Sequence, residues 1–261
     1  MKRGIFKMIL LVVAVIGTTW LLANRIVIKN WKKEEPKPKQ AERTETPDPA
    51  QLAMLDEMTQ WLRPFDSLNV NCYYDARLTA IDKMDSAHAM INVPFRYARK
   101  GANCYFRIDQ TENLFSKDGY MLVDHNARKI LVTPPRSVMR GGMPDLRQLF
   151  KTITAEGYTM KKDRQGAAMT ISMLSPNNIN FKEFSVTYDS VVNRITKIFL
   201  RQSELSDPLN TEADKLMTIE FAQLSNVSIP DSCFRQQKFV VKNKDQWQCS
   251  TAYSEYELVA R

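Results

Sequence analysis

The chain has few residues of the kinds that carry chemistry. It has 8 glycines in 261 residues, and none of them forms the glycine-rich loop that cradles a phosphate. Its four cysteines show neither C-x-x-C nor any other metal-ligand spacing. No group of residues indicates a nucleophile with its base. We therefore expect no enzyme activity, no cofactor and no bound metal.

Histidine is equally scarce, and neither copy indicates a site. His125 follows Asp124 in a predicted turn, where such side chains commonly bond to their own backbone. His88 precedes a predicted strand and has no acidic or cysteine neighbour at ligand spacing. We interpret both histidines as structural.

A strong basic charge is also missing from most of the chain. The formal net charge is +8, but residues 1–50 hold 10 of the 37 Lys and Arg and 5 of the 29 Asp and Glu. Residues 51–261 are left with 27 and 24, a net charge of only +3. This excess is too small for the electrostatic footprint of a nucleic-acid-binding protein. We expect no nucleic-acid partner, and the N-terminal charge suits an anionic membrane surface.

The sequence contains one long apolar run. Residues 8–28 follow a short basic flank at 1–7, and Met8 to Ala23 carries no charge. About 20 apolar residues cross a bilayer, so the run predicts a single-pass transmembrane anchor. A cleaved signal peptide is the alternative, although the end of the run is a poor match to a small-x-small cleavage site. Basic residues on both flanks leave the orientation open.

A change of composition separates this run from the rest of the chain. Residues 29–50 are rich in proline and charge and predict a solvated linker, because they cannot bury enough apolar surface to fold. Residues 51–261 then form a domain of about 210 residues, a size typical of one domain.

Periodicity within this domain predicts a mainly β fold with few helices. Apolar residues at helical spacing predict a helix over 49–62, which Pro64 ends. A second helix is predicted over 138–153, near Gly141 and Gly142. Period-two alternation predicts strands over 69–81, 89–99, 103–109, 120–123, 129–133, 158–162, 168–174, 181–188, 194–201, 216–224 and 238–241. So many strands in hairpin succession predict a large antiparallel sheet that curls.

Two passages resemble a known family. ENLFSKDGYMLVDHNARKILVTPP at 112–135 and DKLMTIEFAQLSNVSIPDSCF at 214–234 are similar to the hairpin and the late strand of bacterial lipoprotein carriers, the LolA/LolB type. The resemblance implies an unclosed antiparallel β half-barrel with a helix covering its concave side, where acyl chains bind. It also implies a periplasmic location. We therefore expect residues 29–261 in the periplasm, behind an anchor in the inner membrane.

The apolar faces of the predicted sheet indicate a groove for an acyl chain. The chain has 13 methionines, and thioether side chains suit surfaces that accept varied apolar ligands. We predict a lid over 138–150, hinged at Gly141 and Gly142. The predicted groove residues are Tyr74, Ile91, Phe95, Phe106, Leu122, Met139 and Met143.

Two local questions stay open. Cys72, Cys104, Cys233 and Cys249 are either free buried thiols or two disulfides, for example Cys72–Cys104 and Cys233–Cys249. The tail around TAYSEYELVAR is either a further strand that covers the sheet edge or a peptide that docks on a partner.

The family's function carries over only in part. This chain has a predicted membrane segment and a tail beyond the family's usual end, so lipoprotein transport itself does not follow. We expect a membrane-tethered, non-enzymatic protein of the bacterial cell envelope that binds a lipid, an acyl chain or a lipoprotein. The alternative is a periplasmic interaction subunit with the same fold, a filled interior and an envelope protein as its partner.

Overall fold

A computed structural model describes residues 48–65, 71–135, 157–179, 181–225, 228–243 and 246–260. Within these residues the chain forms one α-helix and fourteen strands. The helix α1 spans Pro49–Leu62. The strands are β1 Asn71–Asp82, β2 Met90–Lys100, β3 Asn103–Ile108, β4 Thr111–Ser116, β5 Gly119–Asp124, β6 Lys129–Thr133, β7 Thr159–Gln165, β8 Ala168–Leu174, β9 Phe181–Asp189, β10 Arg194–Gln202, β11 Lys215–Ser225, β12 Val240–Asn243, β13 Gln246–Cys249 and β14 Glu257–Ala260.

Twelve of these strands form a single sheet in the order β14-β6-β5-β4-β3-β2-β1-β11-β10-β9-β8-β7, and β12 pairs with β13 separately. Neighbouring strands are antiparallel except β14, which runs parallel to β6. Within the described residues the edge strands β7 and β14 do not pair with each other, so the sheet is unclosed. The prediction of a mainly β protein with a large open sheet is confirmed.

The predicted strands match the observed ones within a few residues, but the prediction omits β4 and β13. β4, Thr111–Ser116, has no clear alternation because Glu112 and Asn113 are both buried beside Leu114. The predicted helix over 138–153 lies outside the described residues. So does the apolar run at 8–28, and no described helix has the length and apolar character needed to span a membrane.

The sheet has a separate hydrophobic core on each face. On the inner face Met58 and Leu62 of α1 pack against residues of the strands from β1 to β3 and from β7 to β11. On the outer face the segment after β11 packs against β1 to β6, with Phe239 and Val240 fully buried there. Successive residues of a strand point to opposite faces, so Tyr73 lies in the outer core and Tyr74 beside the inner one.

Side-chain contacts fix α1 on the β7–β9 part of the sheet. The Asp48 carboxylate caps the helix by accepting from the Ala50 amide at 3.0 Å. Trp61 stacks on Tyr188 of β9 with ring centroids 4.2 Å apart. Glu57 accepts from the Lys162 ammonium of β7 at 2.6 Å and from the Tyr188 hydroxyl. The helix therefore covers one half of the inner face.

The burial of α1 makes a testable prediction about stability. Met58 is fully buried, whereas Leu52 on the same helix is exposed. Met58→Ala should lower the free energy of unfolding by about 2–5 kcal/mol, because it leaves a cavity. Leu52→Ala, the matched control, should change it by about 0.5 kcal/mol or less. Urea unfolding followed by circular dichroism measures both, and equal losses would show that α1 does not dock as described.

Candidate functional site

The register of β1 to β6 lines up a strip of large side chains across the inner face. Tyr74 pairs with Tyr97, and Tyr97 pairs with Phe106. The row continues from Phe106 through Asn113 to Leu122 and then Leu131. In the next row along the strands Phe115 pairs with Tyr120. The aromatic strip is defined as Tyr74, Tyr97, Phe106, Phe115, Tyr120, Leu122 and Leu131.

Ring contacts join the five aromatic members of the strip in two groups. Tyr74 stacks on Tyr97 with centroids 5.1 Å apart, Phe106 on Phe115 at 6.0 Å, and Phe115 meets Tyr120 at 4.6 Å. The Tyr120 hydroxyl donates to the Asn113 amide oxygen at 2.8 Å. Stacked rings lose little freedom when a ligand arrives, so the strip is a preorganised apolar surface.

Every member of the strip is half-buried. Among the described residues, α1 packs mainly on β7 and β9, which lie at the opposite end of the strand order from the strip. The ring faces of β2 to β5 are therefore less completely enclosed than the core around Met58. Half-buried aromatic surface on the inside of an open sheet is where an apolar ligand makes most contact.

Three predicted groove residues meet on this strip: Tyr74, Phe106 and Leu122. Phe95 faces the same side but is only 4% exposed, and it packs edge-on against Tyr74 at 5.4 Å. It belongs to the filled core. Met139, Met143 and the predicted lid over 138–150 lie outside the described residues. Whether any of these side chains contacts a ligand stays a prediction.

The prediction that Ile91 shares the inner face with Phe95 is wrong. The pairing of β1 with β2 shifts from Leu78–Val93 to Ala80–Met90, so β2 contains one extra residue there. Asn92 has φ 53°, the left-handed conformation that asparagine tolerates, and this bulge reverses the alternation. Ile91 is consequently 60% exposed.

Tyr97, Phe115 and Tyr120 were missing from the predicted groove. Tyr97 lies two residues after Phe95, so period-two alternation alone could have placed it on the same face. Phe115 belongs to β4, which was not predicted as a strand because its buried polar residues interrupt the alternation. Tyr120 shares the alternation of Leu122 in β5, which was also a usable signal.

Two cysteines lie next to the strip and do not form a disulfide with each other. Cys72 pairs with Arg99, and Arg99 pairs with Cys104, so two strand spacings of about 10 Å in total separate the cysteine Cα atoms. A disulfide needs about 4.4–6.8 Å, which excludes Cys72–Cys104. All four cysteines of the chain are free thiols. Burial raises the pKa of Cys72 and of Cys104 to about 11.

Thiol chemistry tests this assignment. After denaturation without reductant, all four cysteines should react with iodoacetamide and give four adducts by mass spectrometry. In the folded protein at pH 8, Cys72 and Cys104 should react far more slowly than a free thiol, because a pKa near 11 leaves about one thiolate in a thousand. Only two adducts in the denatured sample would reveal a disulfide and contradict the assignment.

A buried polar network lies on the opposite face, where the C-terminal segment packs on the sheet. The Glu112 carboxylate, 4% exposed, accepts from the Tyr105 hydroxyl at 2.8 Å and from His125 Nε2 at 2.9 Å. His125 Nδ1 bonds the Tyr256 hydroxyl at 2.9 Å. Lys238 lies 3.5 Å from the same carboxylate. The network connects β3, β4 and the β5–β6 turn with Lys238, just before β12, and with Tyr256 of the tail.

The network holds the tail against the sheet through Tyr256. Both ring nitrogens of His125 are engaged within the protein, so neither is directed at an incoming substrate. A neutral ring with its proton on Nε2 satisfies both bonds, donating to Glu112 and accepting from Tyr256. The His125 ring bonds Glu112 and Tyr256, so the expectation that its side chain bonds its own turn is wrong, and its bonds are structural contacts between distant parts of the chain. His88 bonds Asp85 at 2.7 Å, so the expectation that it has no acidic neighbour is wrong: Asp85 lies three residues before it.

The tail supplies the edge strand that one of the two alternatives predicted. β14 pairs with β6 from Glu257–Lys129 to Ala260–Val132. Lys129 also lies 2.7 Å from Glu257. Among the described residues no group of three His, Cys, Asp or Glu side chains is placed to hold a metal ion.

Comparisons with known proteins found only distant structural similarity. No family model matches the chain, and no curated protein does. Among solved structures, an uncharacterized conserved protein from Thermus thermophilus is 7% identical over 78% of this chain and 99% of its own, with a TM-score of 0.38. A putative outer membrane lipoprotein-sorting protein domain from Vibrio parahaemolyticus is 10% identical over 69% and 95%, with a TM-score of 0.26.

A DUF1329 family protein from Desulfovibrio piger is 8% identical over 71% of this chain and 97% of its own, with a TM-score of 0.29. The neighbours thus include a protein described as a putative outer membrane lipoprotein-sorting domain. Because each TM-score is below 0.5, neither family membership nor function follows from them.

The polar network predicts a specific pH dependence. Burial opposes ionisation of Glu112, but bonds from Tyr105 and His125 and the charge of Lys238 outweigh it and lower the pKa of Glu112. A carboxylate whose pKa is lowered by folding stabilises the protein above its unfolded pKa of about 4.3, and this stability is lost as the pH falls through the folded value. Glu112→Gln should lower the free energy of unfolding by about 1.5–3 kcal/mol at pH 7. The stability of this variant should also decrease less as the pH falls.

Thermal unfolding between pH 7 and pH 3 measures this difference. Glu255→Gln is the matched control, because its carboxylate is exposed and pairs with exposed Arg128, an arrangement that contributes little. If wild type and Glu112→Gln lose stability in parallel on acidification, Glu112 is not the group that titrates.

Proposed function

We propose that this protein is a non-enzymatic, membrane-tethered protein of the bacterial cell envelope that binds an acyl chain, as part of a lipid or of an acylated protein. The observation that carries the proposal is the aromatic strip, half-buried on the inner face of an open sheet. Its rings provide contact area without any group for bond making or breaking.

The energetics of the strip suit an acyl chain. Each buried methylene contributes about 0.8 kcal/mol, so a chain burying about ten methylenes gains about 8 kcal/mol before the cost of ordering it. The stacked pairs Tyr74–Tyr97 and Phe106–Phe115 offer flat faces on which such a chain can lie. Binding by contact area alone also accepts chains of different length.

A cation borders the strip at one end. Arg99 of β2 is half-buried between Cys72 and Cys104, and its Nε donates to the Gly101 carbonyl at 3.5 Å. A guanidinium binds carboxylate and phosphate groups well. We assign this end of the strip to the acidic head group of the ligand and the ring faces to its chain.

The location belongs to the proposal as well. Residues 8–28 would anchor the chain in the inner membrane, residues 29–50 would link it, and residues 29–261 would lie in the periplasm. The support comes from the apolar run, its basic flanks and the resemblance to periplasmic lipoprotein carriers. A tether beside a bilayer would keep the strip close to a source of acyl chains.

A second candidate is an interaction subunit of an envelope assembly. The observation favouring it is the closed core between α1 and the sheet, where Met58, Leu62 and Phe95 are almost completely enclosed. This half of the inner face is already filled by the protein itself. The two candidates differ in what the β2–β6 half of the same face holds.

Native mass spectrometry with lipid extraction tests the acyl-chain proposal. The full-length protein, purified from membranes without delipidation, should carry phospholipid or acylated peptide. Leu122→Glu should abolish retention, because it places a charge in the apolar strip. Val192→Glu, at an exposed turn on the opposite side of the strand order, should retain the ligand. Phe95→Glu is unsuitable because it would bury a charge in the core.

Unfolding curves for both variants must show a folded protein. Ligand retained equally by Leu122→Glu and wild type would contradict the strip as the binding surface. A wild-type protein without any bound lipid would favour the interaction subunit.

A further inference from the structure

One end of the sheet exposes a set of large apolar side chains that no core uses. They lie in the β1–β2 turn, at the start of β2, in the β8–β9 loop and in the β10–β11 loop, and each is between 60% and 73% exposed. We call this set the apolar rim. Its members are Met84, Ile91, Ile179, Leu205 and Leu209.

The strand register places these loops side by side. Asp82, the last residue of β1, pairs with Lys215, the first of β11. Lys215 pairs with Gln202 at the end of β10, and Gln202 pairs with Phe181 at the start of β9. The three connections therefore leave the same end of four adjacent strands, together with β8.

Hydrogen bonds tie one loop to the next. The Lys83 ammonium of the β1–β2 turn donates to the Thr211 carbonyl of the β10–β11 loop at 3.3 Å. The Ser203 hydroxyl of that loop donates to the Asn178 carbonyl of the β8–β9 loop at 2.7 Å. Polar bonds thus hold the three loops in place, and their apolar side chains are not required for it.

Ion pairs at the adjoining strand ends also hold these loops. Lys215 lies 2.9 Å from Glu204 and 3.3 Å from Asp82. Lys182 and Asp214 form a fully buried pair at 2.6 Å. Removing one partner of such a pair is costly, so this end of the sheet is rigid. A rigid set of exposed apolar side chains is characteristic of a protein interaction site.

The charge of the three loops restricts the partner. Residues 83–89, 175–180 and 203–214 contain five Asp and Glu residues and one Lys, whereas residues 51–261 as a whole are basic. Asp85, Asp207 and Glu212 are exposed among the rim residues. Glu212 also lies 3.8 Å from the Lys83 ammonium, and Asp85 lies 2.7 Å from His88. Their negative charge would repel the anionic head groups of a bilayer and attract lysine and arginine.

We infer that the apolar rim docks an amphipathic, basic segment of a partner protein, with aliphatic side chains on one side and Lys or Arg beside them. The aliphatic side chains cover Leu205, Leu209 and Ile179, and the cations meet Asp207 and Glu212. The rim lies at the loops and not on the aromatic strip, so this inference holds or fails independently of acyl-chain binding.

The probe is a fluorescein-labelled amphipathic helical peptide of leucine and lysine, and the measurement is fluorescence anisotropy with the full-length protein. The peptide should bind the wild type, and added salt should weaken the complex. The pair of changes Leu205→Ser and Leu209→Ser should weaken binding about tenfold or more. Asp207→Lys with Glu212→Lys should weaken it similarly and reduce its dependence on salt.

Matched controls separate the rim from other exposed apolar surface. Val191→Ser with Val192→Ser removes two exposed apolar side chains from the β9–β10 turn, at the opposite end of the strands, and should leave binding unchanged. A peptide with glutamate in place of each lysine should bind at least about tenfold more weakly.

Several results would overturn the inference. Equal binding to the Leu205/Leu209 variant and to wild type would place the contact elsewhere, and equal binding of the glutamate peptide would refute the charge argument. Rim-dependent binding to phosphatidylglycerol vesicles without peptide binding would identify a membrane surface instead. Self-association of the wild type that the Leu205/Leu209 variant loses would identify a second copy of the chain.

Discussion

The structure depends on covering both faces of one open, twelve-stranded sheet. Strands β1 to β3 carry apolar or aromatic side chains on both sides, as Tyr73 and Tyr74 show. Side chains alternate between faces, so a cover on one side alone would leave the other in water. α1 covers part of the inner face, and residues between Ile229 and Tyr256 cover the β1–β6 part of the outer one. The tail is therefore part of the fold.

The two edges of the sheet are protected in different ways. β14 pairs with β6 and places Glu257 against Lys129. At the other edge β7 carries a run of exposed charged residues, Lys161 to Arg164, which discourages pairing with another chain. These features disfavour edge-to-edge pairing with another chain, although β7 and β14 do not pair with each other among the described residues.

The sequence predicted the helix α1 and most strands because their periodicity is strong, and it placed Tyr74, Phe106 and Leu122 on one face. It failed where local geometry overrides alternation. The bulge at Asn92 moved Ile91 to the outside, and the buried carboxylate of Glu112 concealed β4. Lys238 bonds this carboxylate from 126 positions away, and His125, which also bonds it, bonds Tyr256 131 positions away. No local sequence pattern predicts such pairings.

The division of the inner face links the fold to the proposed function. Where α1 packs, Phe95 and Met58 are enclosed and the core supplies stability. Where α1 is distant, the rings of Phe106, Phe115 and Tyr120 stay half-buried. Aromatic side chains that remain in partial contact with water contribute only part of their burial free energy to folding. A ligand that completes their burial would gain the rest as binding free energy. On the inner face the closed core therefore lies in the half under α1, and in the proposed function the other half would hold the apolar chain.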